Sequence, residues 1–286
     1  MQDSLRAVFI SDAHLGSAAC QAEHLLDFLN KIKTDRLYLV GDIIDLLEMR
    51  RKAHFPETHR AILSLIMRKA REGMEVIYIP GNHDDFFRQM AGQTFSGVKI
   101  RLNCVHRTAD GRRFHVSHGD EFDQIVQLSP LALLVGDKAH GLMLKLNSWL
   151  NRTRRVFGFP YWSLAGYLKT HLGRAREFIQ RYENAALKAA RNLEVDGYIC
   201  GHIHYAAFRR KDGRLYCNDG DWVEHCSALV ETHQGQLRLL HWSEQPRWLA
   251  VEPDAEPTWI DEPIPGLFPV PASSGLSGDK QAPKAA

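Results

Sequence analysis

Short apolar runs alternate with amphipathic segments over the first 120 residues of the chain. The strand-like runs are LRAVFIS, RLYLVG and EVIYIPG, and between them lie AEHLLDFLNKI and a helical pattern near residues 57–72. A further strand is predicted at RFHVSHG. Alternation of strands and amphipathic helices is typical of βαβ units, in which helices pack on the faces of a sheet. The pattern therefore predicts an α/β fold.

The rest of the chain divides into a helical segment, a second strand-rich segment and a tail. Residues 122–194 are predicted to be helical, most clearly in LALLVGDKAHGLMLKLNSWL and REFIQRYENAALKAARNL. VDGYICGHIH, GRLYCNDGD, SALVETH and QLRLLHW read as strands separated by turns, which favours a mixed sheet or two packed layers. Pro, Gly, Ser and Ala then dominate, as in disordered segments. We predict one domain at 1–250 with an inserted helical cap at 122–194, and a disordered tail at 251–286.

Composition excludes several classes of protein. The hydrophobic content of 44% can fill a sizeable core. Lys and Arg number 36 against 34 Asp and Glu, so the net charge gives no reason to expect a nucleic-acid partner. The five cysteines form no CxxC pair, which favours buried thiols in a reducing compartment. Since no signal-peptide pattern and no apolar run of about 18 residues is visible, a cytoplasmic protein is predicted.

Five short polar motifs each follow a strand-like run. Taken singly, such motifs are more often turns or helix caps, because Asn and Asp bond free backbone N–H groups. In open sheets, however, the loops that leave the carboxyl ends of strands meet at one edge, where ligands bind. Five motifs in such positions predict a single site. They are Asp12-Ala-His14, Gly41-Asp42-Ile-Ile-Asp45, Gly81-Asn82-His83-Asp84, His118-Gly119-Asp120 and Gly201-His202-Ile-His204.

The residue types in these motifs suit two divalent metal ions. Asp12 and His14 can point to one side of an extended segment, and Asp42 could bridge both ions with its two oxygens. Asn82 offers a neutral carbonyl oxygen. Mixed nitrogen and oxygen ligands suit Mn²⁺, which we favour, as well as Fe or Zn, and the absence of cysteine ligands argues against a structural zinc site. The remaining predicted ligands are the imidazoles of His118, His202 and His204.

Two neighbouring cations predict hydrolytic chemistry on phosphorus. Such a pair lowers the pKa of a shared water and holds the oxygens of a phosphoryl group during in-line attack. His83 follows the predicted ligand Asn82, so we expect it to stabilise developing charge or to protonate the leaving oxygen. Asp84 is predicted to orient the His83 imidazole. We therefore predict His83 and Asp84 as catalytic residues.

The ordered set D-x-H, G-D-x-x-D, G-N-H-D, H-G-D and G-H-x-H, between residues 12 and 204, resembles the calcineurin-like metallophosphoesterases. The resemblance implies a four-layer sandwich of two mixed sheets flanked by helices. It also implies attack by a metal-bound hydroxide. One metal ion would be held by Asp12, His14, Asp42 and His204, and the second by Asp42, Asn82, His118 and His202.

Within that family, the helical insertion and the segments ICGHIHYA and NDGDWVEHCSALVE resemble the UDP-2,3-diacylglucosamine pyrophosphatases of lipid A biosynthesis. Those enzymes typically carry Gly-Asn-Arg-Asp where this chain has Gly81-Asn82-His83-Asp84. The narrower resemblance implies cleavage of the pyrophosphate of UDP-2,3-diacylglucosamine or of a related lipid-linked phosphoester. His83 instead follows the general phosphoesterase pattern, which leaves a different substrate open as an alternative.

The predicted cap is strongly basic. Residues 138–181 contain nine Lys or Arg and one acid, Glu177, interleaved with aromatic and aliphatic residues. This composition favours an anionic amphiphilic substrate and an anionic membrane surface, and so a peripheral position at the inner face of the membrane. Alternatively, the apolar residues only seat the cap on the core and the charges form a solvated face. The predicted substrate contacts are Asn82, Asp123, Lys169, Arg174 and Arg176.

Three functions remain open from the sequence. The first is a dinuclear-metal hydrolase that acts on a phosphorylated amphiphilic small molecule. The second is a nucleotide or phosphoprotein phosphoesterase on the same core. The third is a non-catalytic scaffold that associates with membranes through the basic cap, which the intact set of predicted ligands disfavours. No nucleic-acid partner is expected, because the positive charge is confined to one insertion, and no feature predicts a protein partner.

Overall fold

The computed structural model describes residues 4–126, 154, 173–243, 246–252 and 259–263. The α-helices in this part of the chain are α1 (Ala22–Lys31), α2 (Leu46–Arg51), α3 (Glu57–Arg71) and α4 (Gly173–Asn192), with 3₁₀ helices at Asp85–Met90 and Asp120–Phe122. The strands are β1 (Leu5–Ile10), β2 (Thr34–Val40), β3 (Glu75–Ile79), β4 (Thr94–Phe95), β5 (Val98–Ile100), β6 (Cys104–Arg107), β7 (Arg113–Val116), β8 (Gly197–Cys200), β9 (Ala207–Lys211), β10 (Arg214–Asn218), β11 (Ser227–Glu231), β12 (Leu237–His241), β13 (Arg247–Val251) and β14 (Trp259–Pro263).

The strands form two mixed sheets. The larger sheet has the order β14-β13-β12-β11-β1-β2-β3-β5-β4, and the smaller has the order β6-β7-β8-β10-β9. In the larger sheet β1, β2, β3 and β5 are parallel, whereas β11 pairs with β1 in antiparallel orientation. In the smaller sheet β8 is parallel to β7 and β10, and β6 and β9 are antiparallel edge strands.

Alternating side chains of β1 face two different layers of the core, because successive side chains of a strand point to opposite faces. Val8 and Ile10 pack in the cluster that contains Phe28 of α1 and the apolar face of α3. Ala7 and Phe9 pack between the two sheets. Helices therefore cover the outer face of the large sheet, and the small sheet covers its inner face.

Helix α4 forms the fourth layer and is not part of the cap. Its buried Tyr182 and Ala186 pack against Tyr198 and Tyr216 of the small sheet. The predicted two-sheet α/β sandwich flanked by helices is thus confirmed. The predicted cap boundary at residue 194 is wrong, because burial of the apolar face of α4 makes this helix an outer layer of the core. The rest of the predicted cap, apart from residues 122–126 and 154, lies outside the described residues.

Strand β14 lies within the segment that was predicted to be a disordered tail. Its Trp259 is opposite Ala250 of β13, and Glu262 is opposite Trp248. The prediction of disorder is wrong for Trp259–Pro263, because the strand-forming residues Trp259 and Ile260 extend the large sheet by one edge strand. Residues 253–258 and 264–286 of the predicted tail lie outside the described residues.

The cysteines are unpaired and mostly buried, as predicted. Cys200, Cys217 and Cys226 are buried, and Cys20 and Cys104 are partly exposed. Among the described residues, no helix has both the length and the apolar character that a membrane crossing requires.

A buried ionic network joins the two sheets at Glu231. Nη1 of Arg6 lies 2.8 and 2.7 Å from its two carboxylate oxygens. The Ala109 amide donates to Oε1 at 2.7 Å, and Nε2 of His106 lies 2.9 Å from Oε2. Nδ1 of His106 is 2.9 Å from the hydroxyl of Tyr38. Since Glu231 and His106 are fully buried, loss of one partner leaves the others without compensation.

The stability of the protein is expected to fall in acid because of Glu231. Burial raises the pKa of Glu231, but the hydrogen bonds from His106 and from the Ala109 amide outweigh burial and hold the pKa below its ordinary value of 4.5. The folded state therefore takes up this proton less readily than the unfolded state does. The stabilisation is complete above the pKa that Glu231 has in the unfolded state. It is lost as the pH falls through the lower pKa that Glu231 has in the folded state.

Urea unfolding at a series of pH values measures this effect. Glu231→Gln is expected to lose about 3 kcal/mol of unfolding free energy near neutral pH. The variant should also lack the part of the acid-induced loss of stability that comes from protonation of Glu231. The exposed Glu72 provides the control, and Glu72→Gln should change the free energy by less than about 1 kcal/mol. Equal acid dependence in the wild type and in Glu231→Gln would contradict the prediction.

Candidate metal centre

The predicted metal ligands come together at the carboxyl ends of strands from both sheets. Parallel strands of each sheet direct their following loops to the same edge, and the two edges face one another across the site. Asp12 and His14 follow β1, Asp42 follows β2, Asn82 follows β3, His118 follows β7, and His202 and His204 follow β8.

One cluster of possible ligands contains Asp12, His14 and His204. One ligand atom from each lies within 4.8 Å of the other two. Oδ1 of the fully buried Asp12 is 3.2 Å from Nε2 of His204 and 3.9 Å from Nε2 of His14. The three groups therefore face a common point at which they could hold a cation.

The second cluster contains Asp42, His118 and His202, whose ligand atoms also lie within 4.8 Å of one another. Oδ2 of Asp42 is 3.3 Å from Nε2 of His118. The same oxygen is 3.9 Å from Nε2 of His14 in the first cluster. Asp42 thus faces both clusters, which is the position that a bridging carboxylate requires.

Hydrogen bonds on the far side of the imidazoles determine which ring nitrogen is available. Nδ1 of His118 donates to the carbonyl oxygen of Val40 at 2.9 Å, which leaves the lone pair on Nε2 facing Asp42. Nε2 of His202 lies 2.8 Å from Oδ1 of Asp123, so its Nδ1 remains available. Partners of this kind orient histidine ligands and increase their basicity.

Several buried polar atoms in the site have no hydrogen-bond partner among the described residues. They include Oδ1 of Asp12, Nε2 of His14, Oδ1 of Asn82 and Nε2 of His118. A buried acceptor without a partner is costly, and all four atoms are lone-pair donors of the kind that bind divalent ions. The residues present therefore fit the metal ions that the sequence predicts.

The charges in the site also favour a cation. Burial lowers the pKa of His14, but the hydrogen bond to Asp45 and the charges of Asp42 and Asp12 outweigh burial and raise the pKa to about 9. Burial likewise lowers the pKa of His118, and Asp42 and Asp12 raise it well above its ordinary value. These carboxylates favour positive charge at the centre, and a divalent ion would replace the imidazole protons.

The backbone is strained at the loops that carry the site. Non-glycine residues with positive φ are uncommon; each costs about 1–3 kcal/mol and persists only because the surrounding structure holds it in place. Gly41, with φ of 85°, lies so close to His118 that a Cβ atom would be 2.2 Å from Nδ1. A Cβ on Gly81 would be 2.3 Å from Oδ1 of Asp42. The predicted ligands with positive φ are Asp12 (48°), His14 (48°), Asp42 (52°), His202 (71°) and His204 (50°).

Asp45 contacts two histidines of the site and was not among the residues predicted from the sequence. Its Oδ2 lies 3.0 Å from Nδ1 of His14, and its Oδ1 lies 3.0 Å from Nδ1 of His83. Asp45 also caps α2 by accepting from the Glu48 amide at 2.8 Å. Although His14, Asp45 and His83 are close enough to hold an ion, these hydrogen bonds already account for their proximity. In the sequence, the indication of this role is the second acidic residue of the motif Gly41-Asp42-Ile-Ile-Asp45.

Asp45→Asn is expected to lower kcat about 10- to 100-fold, the usual effect of losing a residue that orients ligands. The amide cannot accept from both imidazoles with equal strength, so His14 and His83 would lose their common orientation. Initial rates with bis(p-nitrophenyl) phosphate and Mn²⁺ measure the change. The control is Asp35→Asn at an exposed carboxylate. Equal rates in the two variants would show that Asp45 does not contribute to catalysis.

The predicted role of Asp84 is wrong, because its carboxylate contacts backbone amides instead of the His83 imidazole. Asp84 is fully buried, and its Oδ2 accepts from the Ile43 amide at 2.8 Å. It also accepts from the amide of Gly81 and the hydroxyl of Tyr78. Asp84 therefore holds the loop of Asp42 against the loop of Asn82, and Asp45 is the residue that orients His83.

The structure describes only some of the predicted substrate contacts. Asp123 is at the site, but its carboxylate bonds Nε2 of His202. Arg176 is exposed on α4. The backbone of Arg174 lies in the first turn of α4, whereas its side chain and the whole of Lys169 lie outside the described residues. The predicted contacts of these residues with substrate remain predictions.

Comparison with known proteins identifies one family. The family described as calcineurin-like phosphoesterase matches residues 5–206. Similar solved structures include vacuolar protein sorting 29 of Cryptosporidium parvum (11% identity, 90% of this chain and 96% of that chain, TM-score 0.43). Another is phosphopantetheinyl hydrolase of Mycobacterium tuberculosis (13% identity, 77% of this chain and 91% of that chain, TM-score 0.39). A third is an archaeal phosphodiesterase (13% identity, 82% of this chain and 98% of that chain, TM-score 0.40). No curated protein matches the chain. Likeness at this level concerns the fold and not the substrate.

Proposed function

The chain belongs to the calcineurin-like phosphoesterases and is a metal-dependent phosphoester hydrolase, and we propose that it cleaves the pyrophosphate of UDP-2,3-diacylglucosamine or of a related lipid-linked phosphoester. The observation that carries the hydrolytic part is the pair of ligand clusters joined at Oδ2 of Asp42. Two divalent ions held at these clusters would supply a nucleophile at neutral pH and would neutralise charge on the phosphoryl oxygens.

His83 is the residue that we assign to proton transfer. Its side chain is about one-third exposed, so it can reach a substrate, and its ring packs edge-on against His14 with ring centroids 4.7 Å apart. The carboxylate of Asp45 accepts from Nδ1 and so orients the ring. Nε2 is then the nitrogen through which His83 can donate a proton to the leaving oxygen as the phosphorus–oxygen bond breaks.

The composition of residues 138–181 supports an amphiphilic substrate. Its nine basic residues and single acid suit the phosphates of a sugar nucleotide, and its aromatic and aliphatic residues suit acyl chains. The resemblance of ICGHIHYA and NDGDWVEHCSALVE to the diacylglucosamine pyrophosphatases points to the same substrate class. We extend the proposal to Mn²⁺ as the native ion and to attachment at the inner membrane surface through the basic segment.

A second candidate is a nucleotide phosphoesterase. The observation that favours it is His83, which occupies the place of the arginine typical of the diacylglucosamine pyrophosphatases and is hydrogen-bonded to Asp45. An imidazole in this position suits proton donation to many leaving groups, whereas an arginine suits recognition of a particular phosphate.

Comparison of acylated and deacylated substrates tests the proposal. The Mn²⁺-loaded protein is assayed with UDP-2,3-diacylglucosamine and with UDP-glucosamine, and the nucleotide product is identified. If acyl chains contribute binding energy in the transition state, kcat/KM should be at least about 100-fold higher for the acylated substrate. Equal values would favour the nucleotide phosphoesterase, and hydrolysis of neither compound would refute the lipid-linked substrate.

A generic substrate provides the control. Turnover of bis(p-nitrophenyl) phosphate with Mn²⁺ is expected whichever natural substrate is used, because it requires only the metal centre. No turnover with any divalent ion would refute the hydrolytic part of the proposal and favour a scaffold.

A further inference from the structure

A further acidic motif, Asn218-Asp219-Gly220-Asp221, begins at the last residue of β10. β10 is parallel to β8, whose following loop carries His202 and His204, so the motif lies at the same edge as the metal centre. Asp219 is fully buried and is not among the candidate metal ligands. Its carboxyl group reaches the centre through the side chain of Ser11.

The hydroxyl group of Ser11 lies between two carboxyl groups. Its Oγ is 2.5 Å from Oδ2 of Asp12 and 2.6 Å from Oδ1 of Asp219. The carbonyl oxygen of Gly220 is a third acceptor, at 3.1 Å. A hydroxyl group carries a single hydrogen, so Ser11 cannot donate to both carboxyl groups. One of the two short contacts therefore requires a hydrogen that a carboxyl group supplies.

Asp12 is the ionised member of the pair. A carboxyl group binds a divalent ion as the carboxylate, and Oδ1 of Asp12 faces the first ligand cluster. Its Oδ2 also accepts from the His202 amide at 2.9 Å. The additional hydrogen in the contact with Ser11 is therefore on Asp219.

The surroundings of Asp219 give an independent reason for a neutral carboxyl group. Its Oδ2 is buried and has no hydrogen-bond partner within the described part of the chain, and a charged oxygen in that state costs far more than a neutral carbonyl oxygen. Burial raises the pKa of Asp219 well above its ordinary value and outweighs the hydrogen bond with Ser11, which lowers it. The charges of Asp12 and His118 act on this pKa in opposite directions.

We propose, on the basis of the metal centre in the proposed function, that Asp219 is a neutral carboxylic acid and a positioning residue for Asp12. The O–H group of Asp219 donates to Oγ of Ser11, and Ser11 donates to Oδ2 of Asp12. Oδ1 of Asp12 is left to bind the metal ion. These hydrogen bonds orient Asp12 without adding a second negative charge behind it. Gly201 provides the space, because a Cβ atom there would lie 2.1 Å from Oγ of Ser11.

Infrared difference spectra of the Mn²⁺-loaded protein test the protonation of Asp219. The spectrum of the wild type minus that of Asp219→Asn should contain the C=O stretching band of a protonated carboxylic acid at neutral pH. Asp212→Asn, at an exposed carboxyl group, is the control, and its difference spectrum should lack the band. Absence of the band from the Asp219→Asn difference spectrum would overturn the proposal.

Mn²⁺ affinity, measured by competition between the loaded protein and a chelator, tests the positioning role. Ser11→Ala and Asp219→Ala should each weaken binding about 10- to 100-fold. Asp219→Ala should have no further effect in the Ser11→Ala protein, because Asp219 acts through Ser11. Asp219→Asn should restore the affinity to within about threefold of the wild type, since its amide N–H group can donate to Ser11. Ser64→Ala, at an exposed serine of α3, is the matched control and should bind Mn²⁺ as the wild type does.

Two results of the affinity measurements would overturn the positioning role. One is a double variant in which the losses from Ser11→Ala and Asp219→Ala add. The other is an Asp219→Asn protein that binds Mn²⁺ as weakly as Asp219→Ala. Neither the infrared band nor the Mn²⁺ affinity depends on hydrolysis, so wild-type turnover of bis(p-nitrophenyl) phosphate reports separately on the proposed function.

Discussion

Asp42→Ala is expected to abolish metal retention at both clusters and to reduce phosphodiester hydrolysis to the rate of the metal-free protein. Oδ2 of Asp42 lies between Nε2 of His118 and Nε2 of His14, so its removal takes a ligand from each cluster. Oδ1 accepts from the His83 amide at 2.8 Å, so the variant also loses a bond between the two loops. No other described carboxylate occupies this position.

Elemental analysis after dialysis, together with initial rates on bis(p-nitrophenyl) phosphate, measures both effects. Asp35→Ala, at an exposed carboxylate of β2, controls for the loss of one negative charge and should retain metal and activity. The assignment of Asp42 as the bridge is refuted if the variant keeps two metal equivalents. A circular dichroism spectrum that matches the wild type excludes unfolding as the cause of metal loss.

His83→Ala is expected to lower kcat by about 100-fold or more and to leave the metal content unchanged. The imidazole of His83 contacts His14 edge-on and bonds Asp45, but it is not among the predicted ligands. Its loss therefore removes a proton donor without removing a metal-binding atom. The reduction should be smaller for a substrate whose leaving group needs no proton, such as a nitrophenolate ester.

Comparison of leaving groups distinguishes this role from a structural one. If His83 protonates the leaving oxygen, the ratio of wild-type to variant kcat rises with the pKa of the leaving group. A ratio that stays constant across leaving groups would show that His83 acts only by positioning its neighbours. His233→Ala is the control for the substitution of a histidine distant from the site.

Much of the fold could be predicted from the hydrophobic pattern. β1, β2 and β3 carry apolar side chains at consecutive positions, because both faces of the large sheet are covered. The apolar runs of these three strands are long enough to be recognised as strands in the sequence. The short strands β4, β5 and β6 were missed because they have only two to four residues, too few for an alternating hydrophobic pattern to be visible. β9 was missed because Arg209, Arg210 and Lys211 make its end polar and exposed.

The role of Asp84 shows where local reasoning fails. Next to His83 in sequence, it was expected to orient that ring. The chain turns between them, and Asp84 points inward to the amides of Gly81 and Ile43. The carboxylate that contacts His83 comes from Asp45, 38 residues away in sequence. Sequence proximity indicates which residues are near in space, but not which way their side chains point.

The motifs at strand ends were sufficient to predict the hydrolytic chemistry and the set of candidate ligands, and their order indicated the family through its resemblance to the calcineurin-like phosphoesterases. The predicted chemistry and ligands depend on residue type and on the rule that the loops after parallel strands lie at one edge of a sheet. Only the tertiary structure decided that Oδ2 of Asp42 faces both clusters, that Asp45 serves His14 and His83 together, and that α4 belongs to the core. Such relations arise from side-chain direction and packing between segments distant in sequence, which no local pattern encodes.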